Sequence, residues 1–380
     1  MAGLPTLGEF TEFFTTQFET YLPELERTDQ VPDELIKAAA ALGAFRLTIP
    51  REYGGLGLHV RDYLPYLEAA AMGPGAARML VHVANGLWRP LLQFGTPAQR
   101  AIVQGMAEGS QRITFALTER GAGTGRDIET RAVRDGDGWR LTGEKHLITF
   151  ADKVDYFIVI AATDDRKASD SVTAFLVPRD VEGFDIDLSQ RTMGLAGTAH
   201  AFLTFTGAYV DDSARLGEVG QGLDVAFSFL DYSRLSLAAC MVGMGRRALA
   251  ETAAYTERRV TFGKAIARRQ AIQMHIADME TDIAAGAALV RSVVDLIDAG
   301  ESFTADAATA KLYCLKMIGR VTDHALQAHG GYGFTTDAAI ERIYRDARGF
   351  WFEEGTAEVQ QLVVARHVLQ REAAARVGSS

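Results

Sequence analysis

Val154-Asp155-Tyr156-Phe157-Ile158-Val159-Ile160 is the stretch on which the fold turns. β-Branched and aromatic side chains dominate it, and Ile113-Thr-Phe-Ala-Leu-Thr, Ser171-Val-Thr-Ala-Phe-Leu-Val and Ala201-Phe-Leu-Thr-Phe-Thr share that character, so the pattern predicts strands. Asp135-Gly136-Asp137-Gly138, set between Arg131-Ala-Val-Arg and Trp139-Arg-Leu, is a hairpin signal. Residues 112–215 therefore read as a compact β domain of barrel-like form.

On both sides the period changes to that of helices. In residues 1–111, Phe10, Phe13, Phe14, Phe18 and Tyr21 recur at three- and four-residue spacing as one apolar stripe. Pro32-Asp33-Glu34 opens the next helix and Gly43 is placed to end it. Pro50 and Tyr53-Gly54-Gly55-Leu56-Gly57 mark an irregular crossing, and helices are expected again from Arg61, Gly75 and Gln99. In residues 216–380, Leu223 to Arg259 contains no proline, and long helical segments follow near 265–299, 303–329 and 356–375. Four long helices with short connections predict an antiparallel C-terminal bundle. The fold class is multidomain α and β: a helical N-terminal domain, a central β domain, then a four-helix bundle.

A chain of 380 residues, 48% hydrophobic and 23% charged, can build two or three packed units. Its net charge of -10 and lack of a basic run argue against nucleic acid as a partner. Cys240 and Cys314 each sit in an apolar helical stretch, which suits buried small side chains rather than a metal site or a disulfide framework. Met-Ala-Gly-Leu-Pro lacks the features of a signal peptide, and no apolar run suggests a membrane span, so a cytoplasmic location is the expectation.

Four segments could carry chemistry. Leu117-Thr118-Glu119-Arg120-Gly121-Ala122-Gly123-Thr124 leaves a strand into a glycine-spaced turn, where backbone N–H groups can approach a flat or anionic ligand; an ordinary β-turn explains the pattern as well. Ala328-His329-Gly330-Gly331-Tyr332-Gly333 ends a long helix, and its three glycines around an aromatic suggest packing on something flat. Arg259-Val-Thr261-Phe262-Gly263 would place a guanidinium and an aromatic ring on one helix face, suited to a pyrophosphate beside an adenine. Glu353 and Glu354 follow Phe350-Trp351-Phe352 and precede Gly355-Thr356. They read either as an acidic helix start or as a carboxylate in an apolar pocket, where burial favours a usable base.

With Phe-Ala-Leu-Thr-Glu, Leu-Thr-Gly-Glu-Lys-His-Leu-Ile-Thr, Arg-Val-Thr-Phe-Gly, His-Gly-Gly-Tyr-Gly and Glu-Gly-Thr-Ala-Glu-Val-Gln in this order, the chain resembles the acyl-CoA dehydrogenases from about residue 30 to 370. The resemblance implies FAD. Phe115, Leu117, Thr118, Gly123 and Thr124 would meet its flavin ring, and Leu147 and Thr149 would cover it. Arg259, Thr261, Phe262 and Gln270 would meet the diphosphate and adenosine, often those of a neighbouring subunit. Gln327, Gly330 and Gly331 would add backbone contacts, completed by Thr356 and Glu358. A homotetramer is implied, with a dimer as the alternative.

The same resemblance makes Glu354 the catalytic base. It assigns Thr124, Asp231, Arg234 and Gly355 to the thioester substrate. Relatives that place the base on the first C-terminal helix would have it at Ser233, and serine cannot serve. Three departures stand out: Leu147 where tryptophan is usual, Glu353 where tyrosine is common, and Gly-Ala-Gly-Thr-Gly-Arg-Asp where many relatives have Gly-Ala-Gly-Ser-Asp. The expected reaction takes the α-proton to Glu354 and the β-hydride to flavin N5, leaving an enoyl thioester and passing electrons to an electron-transfer flavoprotein. The thioester is one of CoA or of an acyl-carrier protein. The rival readings are an oxidase that returns electrons to oxygen and a non-catalytic flavin-binding protein on the same scaffold.

Overall fold

Thr6 opens the first helix by exchanging hydrogen bonds with Glu9 in a reciprocal cap. In the computed structural model, which describes residues 3–121 and 127–377, this helix is α1 (Leu7–Glu12). The helical path then widens over Phe13–Gln17 and tightens over Phe18–Tyr21. That irregularity lets Phe10, Phe13, Phe14 and Phe18 all turn inward, each at most 6% exposed. There follow α2 (Leu22–Thr28), α3 (Asp33–Leu42), α4 (Val60–Ala71), α5 (Gly75–Gly86), α6 (Trp88–Phe94) and α7 (Pro97–Glu108). Gly43 ends α3 at φ 89°, the left-handed stop expected of it.

The strands are β1 (Ile113–Ala116), β2 (Arg131–Asp135), β3 (Gly138–Ile148), β4 (Tyr156–Ala162), β5 (Val172–Pro178), β6 (Phe184–Asp187), β7 (Ala201–Asp211) and β8 (Arg215–Leu216). They form one sheet in the order β6-β7-β3-β2-β4-β5-β8, with β1 pairing parallel to β4. Gly136, at φ 58°, and Asp137 make the expected two-residue turn between β2 and β3. The decisive strand β4 is buried on both faces. Phe157, Val159 and Ala161 join a core shared with the N-terminal helices and the bundle, while Ile158, Ile160 and Ala162 join a second core under α6 and α7. A continuous apolar run is what a strand with two covered faces requires.

The C-terminal part holds α8 (Gly222–Arg258), a small hairpin of β9 (Val260–Thr261) and β10 (Lys264–Ala265), α9 (Gln270–Asp298), α10 (Thr304–His329), α11 (Ala339–Gly349) and α12 (Ala357–Val377). The four long helices were legible; the shorter α6, α11 and β6 were not. A stretch of α8 is apolar enough to cross a membrane, but 78% of that window is buried inside the protein. At Gly243 a Cβ would stand 2.2 Å from the Glu68 carbonyl oxygen, so α8 meets α4 backbone to backbone.

Candidate active site

Between α11 and α12 the chain makes a turn that fixes two adjacent carboxylates very differently. Glu353 faces inward and takes two hydrogen bonds from Arg78, at 2.9 Å from Nη1 and 2.6 Å from Nη2. The Arg78 guanidinium is fully buried and lies 3.8 Å from the centroid of the Phe350 ring. Burial opposes ionisation of Glu353, but the Arg78 charge and its hydrogen bonds prevail and hold the carboxyl below its ordinary range. Glu353 is therefore an internal counter-ion, committed to Arg78.

Glu354 has its backbone held instead of its side chain. Glu354 and Gly355 lie at φ 50° and 86°, consecutive left-handed residues. For a glutamate this costs about 1 kcal/mol or more. The turn is tied through its carbonyls: buried Lys311 donates from Nζ to Glu353 O and, at 2.7 Å, to Gly355 O. Gln360 Nε2 donates at 3.1 Å to both Glu354 O and Gly355 O. Burial lowers the Lys311 ammonium to about 8, against the pull of Glu354 and Glu353. The Glu354 carboxylate itself accepts no hydrogen bond among the described residues. His82 is nearest, with Nε2 3.9 Å from Oε1. His82 Nε2 lies 2.9 Å from Ser233 Oγ, both side chains buried. Arg78, His82, Lys311 and Gln360 were missed from the sequence, where each looks like an ordinary helical residue.

Around this turn the structure gathers one group of the expected residues. Phe115 packs edge-on against Phe229 of α8, with ring centroids 5.0 Å apart. The Thr118 carbonyl accepts from His146 N at 2.8 Å, and Thr114 Oγ1 donates to Thr149 O at 2.8 Å. Strand β1 and the end of β3 thus stand side by side, bringing Phe115, Leu117, Thr118, Leu147 and Thr149 together. Beside these strands Lys145, itself buried, donates to Glu119 at 2.7 Å, and Glu119 accepts from the backbone of Glu129 and Thr130. Leu147 is held at φ 58° with its side chain open to solvent. Arg234 donates to Asp231 at 2.8 Å, while its buried Nε finds no hydrogen-bond partner among the described residues. Thr356 and Glu358 stand at the start of α12, where a hydrogen bond from its own backbone N–H and one with Thr356 hold the Glu358 carboxyl below its ordinary range. Gly123 and Thr124 lie outside the described residues.

The remaining expected residues sit at the other end of α8. Tyr255 stacks on His329 at 4.3 Å, bringing the hairpin with Thr261 and Phe262, and Gln270 at the start of α9, to the end of α10 with Gln327, Gly330 and Gly331. One expectation is corrected here. Arg259 and Phe262 do not share a helix face, because α8 stops at Arg258 and the chain turns into β9 with Phe262 at φ 49°. Arg269 takes the place beside the ring: it donates to Thr261 O and Oγ1 at 2.6 and 2.9 Å and lies 5.4 Å from the Phe262 centroid. Phe262 is 95% exposed, an aromatic surface with no cover in a single chain.

Phe229 and Tyr255 are 26 positions apart on α8, about 39 Å at the rise of a helix, so the two groups of residues lie near opposite ends of it. The open Thr118, Leu147 and Thr149 surface suits a flat ring, and the exposed Phe262 with its basic neighbours suits an adenosine diphosphate. Each fits one end of FAD.

Three family models match in succession: the acyl-CoA dehydrogenase N-terminal domain over residues 7–110, the middle domain over 114–208 and the C-terminal domain over 220–369. The chain belongs to the acyl-CoA dehydrogenase family. It is 35% identical to the caffeyl-CoA reductase-Etf complex subunit CarC of Acetobacterium woodii, over 92% of this chain and 93% of that one. The butyryl-CoA dehydrogenase structure from Megasphaera elsdenii superposes with a TM-score of 0.90 at 31% identity, covering 97% and 100% of the two chains. An acyl-CoA dehydrogenase complexed with FAD from Bacillus anthracis gives 0.89 at 27% identity, covering 97% and 67%.

Proposed function

We propose that Glu354 is the base of an FAD-dependent acyl-thioester dehydrogenase. The observation that carries this reading is a carboxylate that accepts no hydrogen bond among the described residues, held on a strained turn whose carbonyls are tied by Lys311 and Gln360. A base must reach the α-carbon without surrendering a stabilising contact, and Glu354 alone of the two carboxylates meets that condition. Glu354 receives the α-proton while the β C–H electron pair leaves as hydride, so the product is the α,β-enoyl thioester. FAD, when bound, supplies the hydride acceptor. Phe115, Leu117, Thr118, Leu147 and Thr149 would orient the flavin, and Asp231, Arg234 and Gly355 would align the thioester arm. Glu353 keeps Arg78 neutralised and takes no proton in turnover.

The far-end set of Arg259, Thr261, Phe262, Gln270, Gln327, Gly330 and Gly331 serves the FAD of another copy, in a homotetramer. The likeness to CarC, a subunit named for its Etf complex, supports an electron-transfer flavoprotein as redox partner. Purified protein should be yellow, with about one FAD per chain, and acyl thioesters should bleach it without oxygen. A colourless protein that takes up no FAD would overturn the reading, and rapid reoxidation in air with peroxide release would favour an oxidase.

A further inference from the structure

Two guanidiniums lie close to the candidate site, and the fold treats them differently. Arg78 has its carboxylate built in as Glu353. Arg89, one helix farther along the chain, has none. It lines a narrow recess with Tyr63, His82, Phe229, Tyr232 and Ser233. His82, which lines the recess, also stands 3.9 Å from Glu354, so the recess and the candidate base share a wall.

Arg89 is enclosed by protein while keeping an intermediate accessible surface, as expected of a side chain whose free edge faces a cavity it lines. The Trp88 and Tyr232 ring centroids each lie 4.6 Å from its guanidinium carbon. One of its donors, Nη1, is spent on the Asn85 carbonyl at 2.9 Å. Among the described residues no carboxylate pairs with it. Burial pushes the guanidinium below its ordinary range, and only the phenols of Tyr63 and Tyr232 offset that. An enclosed charge without a counter-ion is costly, and the open donors of a planar fork match a carboxylate.

We propose that the recess takes the far end of the acyl group and that this end carries a carboxylate, so the substrate is an ω-carboxyacyl thioester. The proposal rests on Glu354 marking the thioester end of the site. A plain alkyl end would cover Arg89 with hydrocarbon and leave its charge unanswered. A carboxylate would take the free donors and replace the counter-ion that the chain omits.

The test uses FAD-loaded protein and CoA thioethers, which lack the acyl carbonyl and therefore the acidic α-proton, so binding is read apart from chemistry. Calorimetry compares ω-carboxyalkyl with alkyl thioethers of equal length, four to eight carbons, on wild type, Arg89→Met and Arg89→Lys. The expected result is at least tenfold tighter binding of the carboxylated thioether by wild type. That preference should be lost in Arg89→Met and partly kept in Arg89→Lys. Equal or tighter binding of the alkyl thioether by wild type overturns the proposal whether or not either variant folds. So does an equal loss of both ligands in Arg89→Met, which would make Arg89 a packing residue. Anaerobic bleaching by the matching thioesters then separates the two claims: tight carboxylate-dependent binding without bleaching would refute Glu354 as base and leave the Arg89 assignment standing.

Discussion

Neutralising the two neighbouring carboxylates one at a time should separate stability from chemistry. In Glu353→Gln, the fully buried Arg78 loses its counter-ion and one of two hydrogen bonds at 2.6 and 2.9 Å. Breaking a buried pair from one side costs about 3–5 kcal/mol, and the glutamine oxygen can still accept one bond, so about 3 kcal/mol is the working figure. With about 2 cal/mol/K of unfolding entropy per residue over this chain, that is a fall of about 4 °C in Tm. Glu354→Gln removes no hydrogen bond, so its stability should stay within about 0.5 kcal/mol of wild type. Its flavin bleaching by any reactive thioester should slow at least a hundredfold or so, with FAD still bound. Lys311 and Gln360 still hold the turn in Glu353→Gln, so bleaching there should be far less affected, and Ser233→Ala should be milder still. Thermal melts paired with anaerobic stopped-flow read both quantities on the same samples. Loss of bleaching in Glu353→Gln but not in Glu354→Gln would shift the base by one residue. Survival of bleaching in both would remove the base from this turn.

Arg259→Ala should weaken FAD retention and, once the cofactor is lost, loosen the assembly; a monomer that keeps FAD tightly, by light scattering and absorbance, would contradict a site shared between copies. Asp152 lies on the turn after β3 with both carboxylate oxygens buried and without a hydrogen-bond partner among the other described residues, and burial raises its carboxyl to about 6, with Lys153 3.9 Å away. A folded value above the unfolded one means that the contribution of Asp152 to stability is greatest below about pH 4 and is lost as pH rises from there through about 6. Asp152→Asn should therefore raise stability at pH 7 by about 2 kcal/mol, with the gain vanishing near pH 4, and denaturant titrations that show no pH dependence in the difference would refute it.

What the sequence made legible was whatever repeats or punctuates. β4 announced itself because both of its faces are covered, leaving no polar position to blur the run. Gly43 and the Gly136-Asp137 turn were readable because only certain residues suit a left-handed backbone. Glu354 could be singled out only through its neighbours in the motif, since a glutamate before Gly-Thr is otherwise a plain helix start. The Arg259–Phe262 pairing failed because spacing was read as helix where the chain had already turned; nothing in Arg-Val-Thr-Phe-Gly states where α8 ends.

The groups that hold the turn in place were illegible for a different reason. Arg78 meets Glu353 across 275 positions, and Lys311 reaches the Gly355 carbonyl across 44. Such pairs have no local signature, because a helix interior accepts Arg, Lys or His on propensity alone. Charge nevertheless constrains them: a buried guanidinium requires an anion, and the chain either supplies one or leaves the place to a ligand. Arg78 shows the first outcome. If the same accounting holds across the whole site, Arg89 is the second, and the acyl specificity of this enzyme is written in a carboxylate that the chain lacks.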